Sequence, residues 1–334
     1  MEEYYGAVDI GGTKITASLA NREGIQIKVR QNVKLLGDNG TVPKQADSLI
    51  RYCCKEIDID KNGLKGIGIS TCSPFKKENG CKVVVTPNLC GGLSRSGETA
   101  PNYWTEIPLE EVLSKEYKNL MIENDCVSAV VAERLFGAGR EENNLVYVTW
   151  STGVGGGAYV DGVLIRGKNG NALHLGHVYV AEDGHECGCG NYGDLESLTS
   201  GIAIARDYGV KRDEAEKVFS AYRNKDDKAV KVVKRAARNF SRGLASVNSL
   251  LDTKVFVIGG GVFLKNKDIL LPLIREEFYK SFPALSRGVD IREAELDFYL
   301  GDLAALSLVM PNEWVDEWAF RRPWESVPEK IMFD

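Results

Sequence analysis

A chain of 334 residues, 43% hydrophobic and 27% charged, is long enough to bury two separate cores, so two domains are expected. Its net charge of −5, with no block of Lys or Arg, leaves no electrostatic footprint for nucleic acid or an anionic membrane, and neither is an expected partner. No apolar run approaches the length of a membrane span, and the acidic start MEEYYGAVDIGG lacks the basic residues of a secretory signal, so the expected location is cytoplasmic. Cys53, Cys54, Cys72, Cys81, Cys90 and Cys126 are scattered and read as reduced thiols, whereas Cys187 and Cys189 form a close pair.

Tyr4 to Ala20 reads as a strand, a Gly-Gly turn and a second strand in which Ile15, Ala17 and Leu19 alternate, the pattern of a β-hairpin whose turn offers a place for a phosphate. Residues 43–57 have the periodicity of an amphipathic helix, Gly66 to Thr71 that of a buried strand, and Lys82 to Val85 that of a short strand before Pro87-Asn88. Cys90 to Tyr103 lacks periodicity and is expected to be a mobile loop. Leu120 to Glu123 reads as a strand ending at Asn124-Asp125, followed by a helix from Val127 to Phe136 that stops at Gly137 and Gly139. The strand Leu145 to Trp150, the turn 151–157 and the strand Ala158 to Val160 repeat the plan of the N-terminus. The later half is mostly helical, with a stripe through Val233, Ala236, Ala237, Phe240, Leu244, Val247 and Leu251, then a buried strand from Val255 to Ile258 that ends in three glycines.

This alternation predicts an α/β protein with two similarly built halves: residues 1–123, completed by the C-terminal segment 302–334, and residues 124–301, which include the loop 174–196. Trp314, Trp318 and Trp324 make the end of the chain too aromatic for a free tail, so it is expected to pack on a lobe or a partner subunit.

Asp9-Ile10-Gly11-Gly12-Thr13-Lys14 combines a carboxylate at a strand end with bare backbone N–H groups, a hydroxyl and an ammonium, a set suited to a metal-bound polyphosphate. Ser151-Thr152-Gly153-Val154-Gly155-Gly156-Gly157 offers a second such turn, and Gly259-Gly260-Gly261 a third that suits adenine or its ribose. Gly pairs commonly just make turns, but three at strand ends favour a nucleotide; none is a Walker loop or a Rossmann fingerprint. Asn124-Asp125 reads as a helix N-cap or as the carboxylate that takes a proton in phosphoryl transfer, and the two roles are compatible. His174, His177 and His185 fall within twelve residues, just before Cys187-Gly188-Cys189-Gly190 and Asp194. One imidazole, two thiolates and one further ligand suit a structural zinc ion. Glu196 and His174 flank this cluster, so the element it braces is expected to present them to a polar ligand, the alternative for each being a solvated surface residue.

In series, Asp9 to Lys14, Glu123-Asn124-Asp125, Ser151 to Gly157, Gly176-His177 and Cys187 to Gly190 resemble the ROK (repressor, ORF, kinase) family over about residues 4–310. That resemblance implies an actin/hexokinase-like ATPase fold of two ribonuclease-H-like lobes, ATP with Mg²⁺, transfer to a hexose hydroxyl, usually O6, and a homodimer. It implies Asp125 as catalytic base and Asn124, Asn88, His174, His177 and Glu196 around the sugar. Asp9, Gly11, Gly12, Thr13 and Lys14, then Thr152 and Gly153, then Gly260 and Gly261, fall on its nucleotide turns. His177, Cys187 and Cys189 match its Zn²⁺ ligands, and Asp194 stands where the family has a third Cys, with His185 as an alternative ligand. Many ROK kinases have Glu where this chain has His174, and Gly66 to Thr71 resembles the animal N-acetylmannosamine kinase domain. The expected substrate is therefore N-acetylmannosamine, then glucose or N-acetylglucosamine. The resemblance starts at residue 4, so a DNA-binding region of the ROK-repressor kind is not expected. The rival expectations are a non-catalytic sugar sensor and an ATPase of the heat-shock type.

Overall fold

The structure, a computed structural model, describes residues 2–94, 100–326 and 329–332. In chain order the strands are β1 (Tyr4–Ile10), β2 (Lys14–Asn21), β3 (Gly24–Asn32), β4 (Leu64–Thr71), β5 (Phe75–Glu78), β6 (Cys81–Val84), β7 (Leu120–Asn124), β8 (Leu145–Trp150), β9 (Val154–Val160), β10 (Val163–Leu164), β11 (Val255–Gly259), β12 (Asp290–Glu293) and β13 (Glu329–Ile331). The helices are α1 (Thr41–Glu56), α2 (Leu109–Leu113), α3 (Asp125–Phe136), α4 (Leu195–Thr199), α5 (Gly201–Tyr208), α6 (Ala215–Arg223), α7 (Asp227–Leu251), α8 (Gly261–Lys265), α9 (Lys267–Phe278), α10 (Pro283–Ser286), α11 (Leu300–Leu306) and α12 (Asn312–Arg321). Among the described residues no helix is long and apolar enough to cross a membrane.

Two compact units divide the chain. The first comprises Met1–Phe136, Arg166–Ala172 and Phe298–Asp334, and the second Gly137–Ile165 and Leu173–Asp297. The division thus falls at the end of α3 rather than at Asn124, because α3 packs against α11 of the first unit. The returning segment starts at Phe298 rather than residue 302, and the short excursion Arg166–Ala172 also belongs to the first unit.

The first unit is built on a six-stranded sheet in the order β13-β3-β2-β1-β4-β7. Strands β1, β2 and β3 are antiparallel, while β4 runs parallel to β1 and β7 parallel to β4. The last six residues of β4 are all buried, as the near-continuous apolar run of a central parallel strand requires. Helix α1 presents Val42, Ala46, Leu49, Ile50 and Cys53 to β2, sealing a core that includes Val8, Ile10, Leu19 and Ile69. The C-terminal aromatic segment packs on this same unit: Trp314 meets Tyr5 edge-on at 5.1 Å, Trp324 lies 5.3 Å from Phe136, and the buried Trp318 indole donates to the Arg22 carbonyl at 2.9 Å.

The second unit repeats the plan, with a five-stranded sheet in the order β10-β9-β8-β11-β12. Again an antiparallel hairpin, β8 and β9, is followed by parallel strands, β11 and β12. The predicted apolar stripe lies on the 25-residue α7, where Phe240 stacks on Trp150 with ring centroids 4.0 Å apart. Of the loop expected between Cys90 and Tyr103, Gly91–Leu93 form one 3₁₀ turn and residues 95–99 lie outside the described residues.

Candidate functional site

In the first unit the site grows from the ends of three neighbouring strands. Register pairs Ile10 with Ile15, leaving Gly11 and Gly12 to close the β1–β2 turn through a Gly11 N–H to Lys14 carbonyl bond of 2.9 Å. Thr13 and Lys14 are exposed, and Asn88 packs against Gly12, so the first glycine turn and one residue predicted to contact the sugar are neighbours. Asp9 sits at the end of β1 and Asn124-Asp125 at the junction of β7 with α3.

Asn124, not Asp125, caps α3: its Oδ1 accepts the Cys126 and Val127 N–H groups at 2.9 and 3.1 Å. Its Nδ2 donates to Ser73 Oγ and to Asp125 Oδ1, both at 2.8 Å, and the Cys126 N–H also reaches Asp125 Oδ1 at 2.8 Å. One oxygen of Asp125 is thereby held while the side chain stays open to solvent. The protein packed around it removes enough water to raise its carboxyl above the ordinary range, against the pull of those hydrogen bonds. Asp9 is pushed up to about 7 by burial and then by the negative charges of Asp125 and Asp302, with the Ser70 hydroxyl and Lys28 opposing. Ser128 Oγ, 3.0 Å from Ser70 Oγ, also bonds the Asn124 carbonyl at 2.8 Å, so a buried hydroxyl pair joins the two acidic strand ends.

In the second unit the turn after β8 is closed by a Ser151 N–H to Gly153 carbonyl bond of 2.9 Å, and Thr152 is exposed at its tip. Glu196, in the first turn of α4, accepts the Val154 N–H at 2.8 Å. A Cβ on Gly153 would lie 2.5 Å from that carboxylate, which is why glycine stands there. Burial raises the Glu196 carboxyl, with the Val154 hydrogen bond opposing. Gly260, at φ +88°, has no room for a Cβ against the Trp150 backbone, and Gly261 opens α8 beside Ser151, so the second and third glycine turns adjoin.

His177, Cys187, Cys189 and Asp194 bring one ligand atom each within 4.8 Å of one another. His177 Nδ1 is 3.3 Å from Asp194 Oδ2 and 3.8 Å from Cys187 Sγ, and Cys189 Sγ is 3.4 Å from Asp194 Oδ2. Such separations match the edges of about 3.3–3.8 Å expected of a tetrahedron of zinc ligands. Burial raises the Asp194 carboxyl, but hydrogen bonds from His177 and Ser197 outweigh it and bring it down to about 2, so it is anionic at neutral pH. His185 is not recruited: it is exposed, with Nε2 3.7 Å from Asp207. His174 stacks 6.0 Å from His177, and burial, then the neighbouring imidazole, lowers it towards the neutral form.

Sequence reasoning missed Ser70, Ser73, Lys28 and Asp302 of the first unit. Single Ser residues carry no signal, and Gly301-Asp302 before an apolar run reads only as a helix start.

A duplicated mixed sheet with glycine turns at its strand ends and a carboxylate at the start of a helix defines an α/β protein of the actin/hexokinase-like class. The chain belongs to the ROK family, whose model matches residues 5–296. It is 30% identical over 285 residues to the N-acetylmannosamine kinase of Haemophilus influenzae, covering 84% of this chain and 86% of that one. The ROK hexokinase of Thermus thermophilus superposes with a TM-score of 0.76 at 29% identity, covering 91% and 97% of the two chains. A ROK glucokinase of Streptomyces griseus, solved with glucose and AMPPNP, superposes with a TM-score of 0.64 at 25% identity, covering 92% and 99%.

Proposed function

We propose that the protein is an ATP-dependent sugar kinase, with Asp125 as the general base. The observation that carries this reading is the carboxylate at the β7–α3 junction, anchored through one oxygen, open to solvent and raised in proton affinity. A base of that kind takes the proton of the attacking sugar hydroxyl while the γ-phosphoryl transfers in line. The phosphoryl donor is Mg-ATP, in keeping with the relative solved with AMPPNP. The Gly11-Gly12 turn with Asp9, and the turn at Thr152-Gly153, offer N–H groups and charge to the phosphates, while Gly260 and Gly261 lie beside the nucleoside. By the family resemblance Asn88, Asn124, Glu196, His174 and His177 are the candidate sugar contacts, and the relatives' substrates, glucose and N-acetylmannosamine, bound its class. The imidazole of His174 favours N-acetylmannosamine.

His177, Cys187, Cys189 and Asp194 would hold Zn²⁺, for which their donor types and spacing fit. Bound there, the ion supplies rigidity to the loop 174–196. Glu196 and His174 hold their own orientations through Val154 and His177.

The test is ADP release with Mg-ATP across glucose, mannose, N-acetylglucosamine and N-acetylmannosamine. Asp125→Asn is expected to lower kcat by about 10²–10⁴-fold with little change in ATP binding. Near-wild-type turnover would remove Asp125 as base. Sugar binding without turnover in the unmodified protein would point to a sensor instead.

A further inference from the structure

The sheet face covered by α11 conceals a second layer of charge. Lys28 Nζ lies 2.6 Å from Asp302 Oδ2, with side chains only 6% and 4% exposed. A buried ion pair is a poor source of stability, since well-packed apolar residues of similar volume often serve as well or better, so this one calls for another reason. Its placement supplies one. Ala7, Ser18 and Lys28 form one cross-strand row, and Asp9, Thr16 and Arg30 the next row on the same face. Lys28 therefore projects towards the layer that holds Asp9. Asp302 follows Gly301, whose absent Cβ would lie 2.8 Å from Asp9 Oδ2, so only glycine lets the start of α11 approach that carboxylate. The Phe298 ring lies 5.0 Å from the Lys28 ammonium, and Ser18 Oγ, beside it in the row, is buried with no hydrogen-bond partner among the described residues.

We infer that Lys28 and Asp302 are positioning residues for phosphoryl transfer: they hold Asp9 at the end of β1 and set the charge it presents to the polyphosphate. The inference rests on the kinase reading above. The groups around Asp9 are Asp125 from α3, Asp302 from α11, Lys28 from β3, the Ser70 hydroxyl from β4, the Cys72 thiol just beyond β4, and Arg30 of β3 in the row of Asp9, whose Nε is 3.4 Å from Thr16 Oγ1. Two of the three carboxylates oppose ionisation of the third, and the lysine favours it. Removing the lysine charge then favours protonated Asp9, and removing the Asp302 charge favours the ionised form.

The experiment is the pH profile of kcat/KM for ATP, at saturating sugar, for the unmodified protein, Lys28→Met and Asp302→Asn, with thermal melts confirming that each variant is folded at the assay temperature. The acid limb should move to higher pH in Lys28→Met and to lower pH in Asp302→Asn, each by about one unit. KM for ATP should rise in Lys28→Met while KM for the sugar stays unchanged, and Lys28→Arg should restore the original limb. Limbs that coincide with the unmodified protein, or move in the same direction, would show a merely structural pair and overturn the inference. Should Lys28→Met not fold, the isosteric Asp302→Asn decides alone, and a limb that does not fall to lower pH overturns it. An unmodified protein without turnover on any sugar would instead overturn the kinase reading, a distinguishable failure.

Discussion

Asp9 illustrates how a buried strand-end carboxylate costs stability. In the unfolded chain an Asp carboxyl ionises near its ordinary value of about 3.9, whereas in the folded protein burial and the charges of Asp125 and Asp302 hold it up at about 7. Ionising it in the folded state is therefore unfavourable. The penalty is absent below about pH 4, grows as pH rises towards 7 and is constant above that. Asp9→Asn should accordingly raise stability by about 1–3 kcal/mol at pH 8 and by much less at pH 5, while abolishing turnover. Denaturant melts at the two pH values check this; equal stabilisation at both would show that Asp9 is not strained by its charge. The same residue scale decides Asn124 and Asp125, which the sequence offered as interchangeable caps. Backbone geometry separates them, giving Asn124 the Val127 N–H and leaving Asp125 an oxygen for chemistry.

Among the elements, the loop 174–196 and α4 are coupled through one side chain. Asp194 Oδ1 accepts the Ser197 N–H at 2.8 Å as the N-cap of α4, while Oδ2 faces His177 and Cys189. A metal on that oxygen would brace the helix that carries Glu196. Protein purified without chelator is expected to contain about one zinc per chain, and Cys187→Ser to lose it. Stripping the metal should then speed hydrogen exchange at the Ser197 amide; unchanged exchange would uncouple the cluster from α4. Strand β3 shows why element prediction stopped short. Its Ile25, Ile27 and Val29 alternate properly, but Gln26, Lys28 and Arg30 on the other face look solvated, and it is the folded chain that sets Asp302 and Phe298 against Lys28. Strand β10, two residues long, is below what any periodicity resolves.

For the whole molecule, the chain's return to its first unit is a matter of aromatic packing. Trp318 is fully buried against Trp314, Trp324 and Phe136, so Trp318→Ala removes a large side chain from a close-packed site. The expected cost is about 3–5 kcal/mol, read by urea denaturation, with kcat per folded molecule unchanged. A cost below about 1 kcal/mol would mean that the C-terminal segment is not part of that core. The unit boundary follows from the same physics: α3 is joined to α11 and to Trp324 by side-chain contact, which no linear pattern announces.

The sequence by itself determined the α/β class, the hairpin plan repeated in both halves and the glycine turns at the ends of β1, β8 and β11, because these are local: a period of two, a period of 3.6, and glycines where strands end. It also named the acidic strand ends and the His/Cys/Asp cluster, since unusual residues grouped within a few turns of chain stay grouped when folded. Only the tertiary structure decided that α3 and the excursion Arg166–Ala172 belong to the first unit, that His185 stays outside the cluster, and that Lys28 and Asp302 pair. Residues 28 and 302 are brought to 2.6 Å by two strands and a helix laid across them, a long-range closure for which a linear sequence carries no marker.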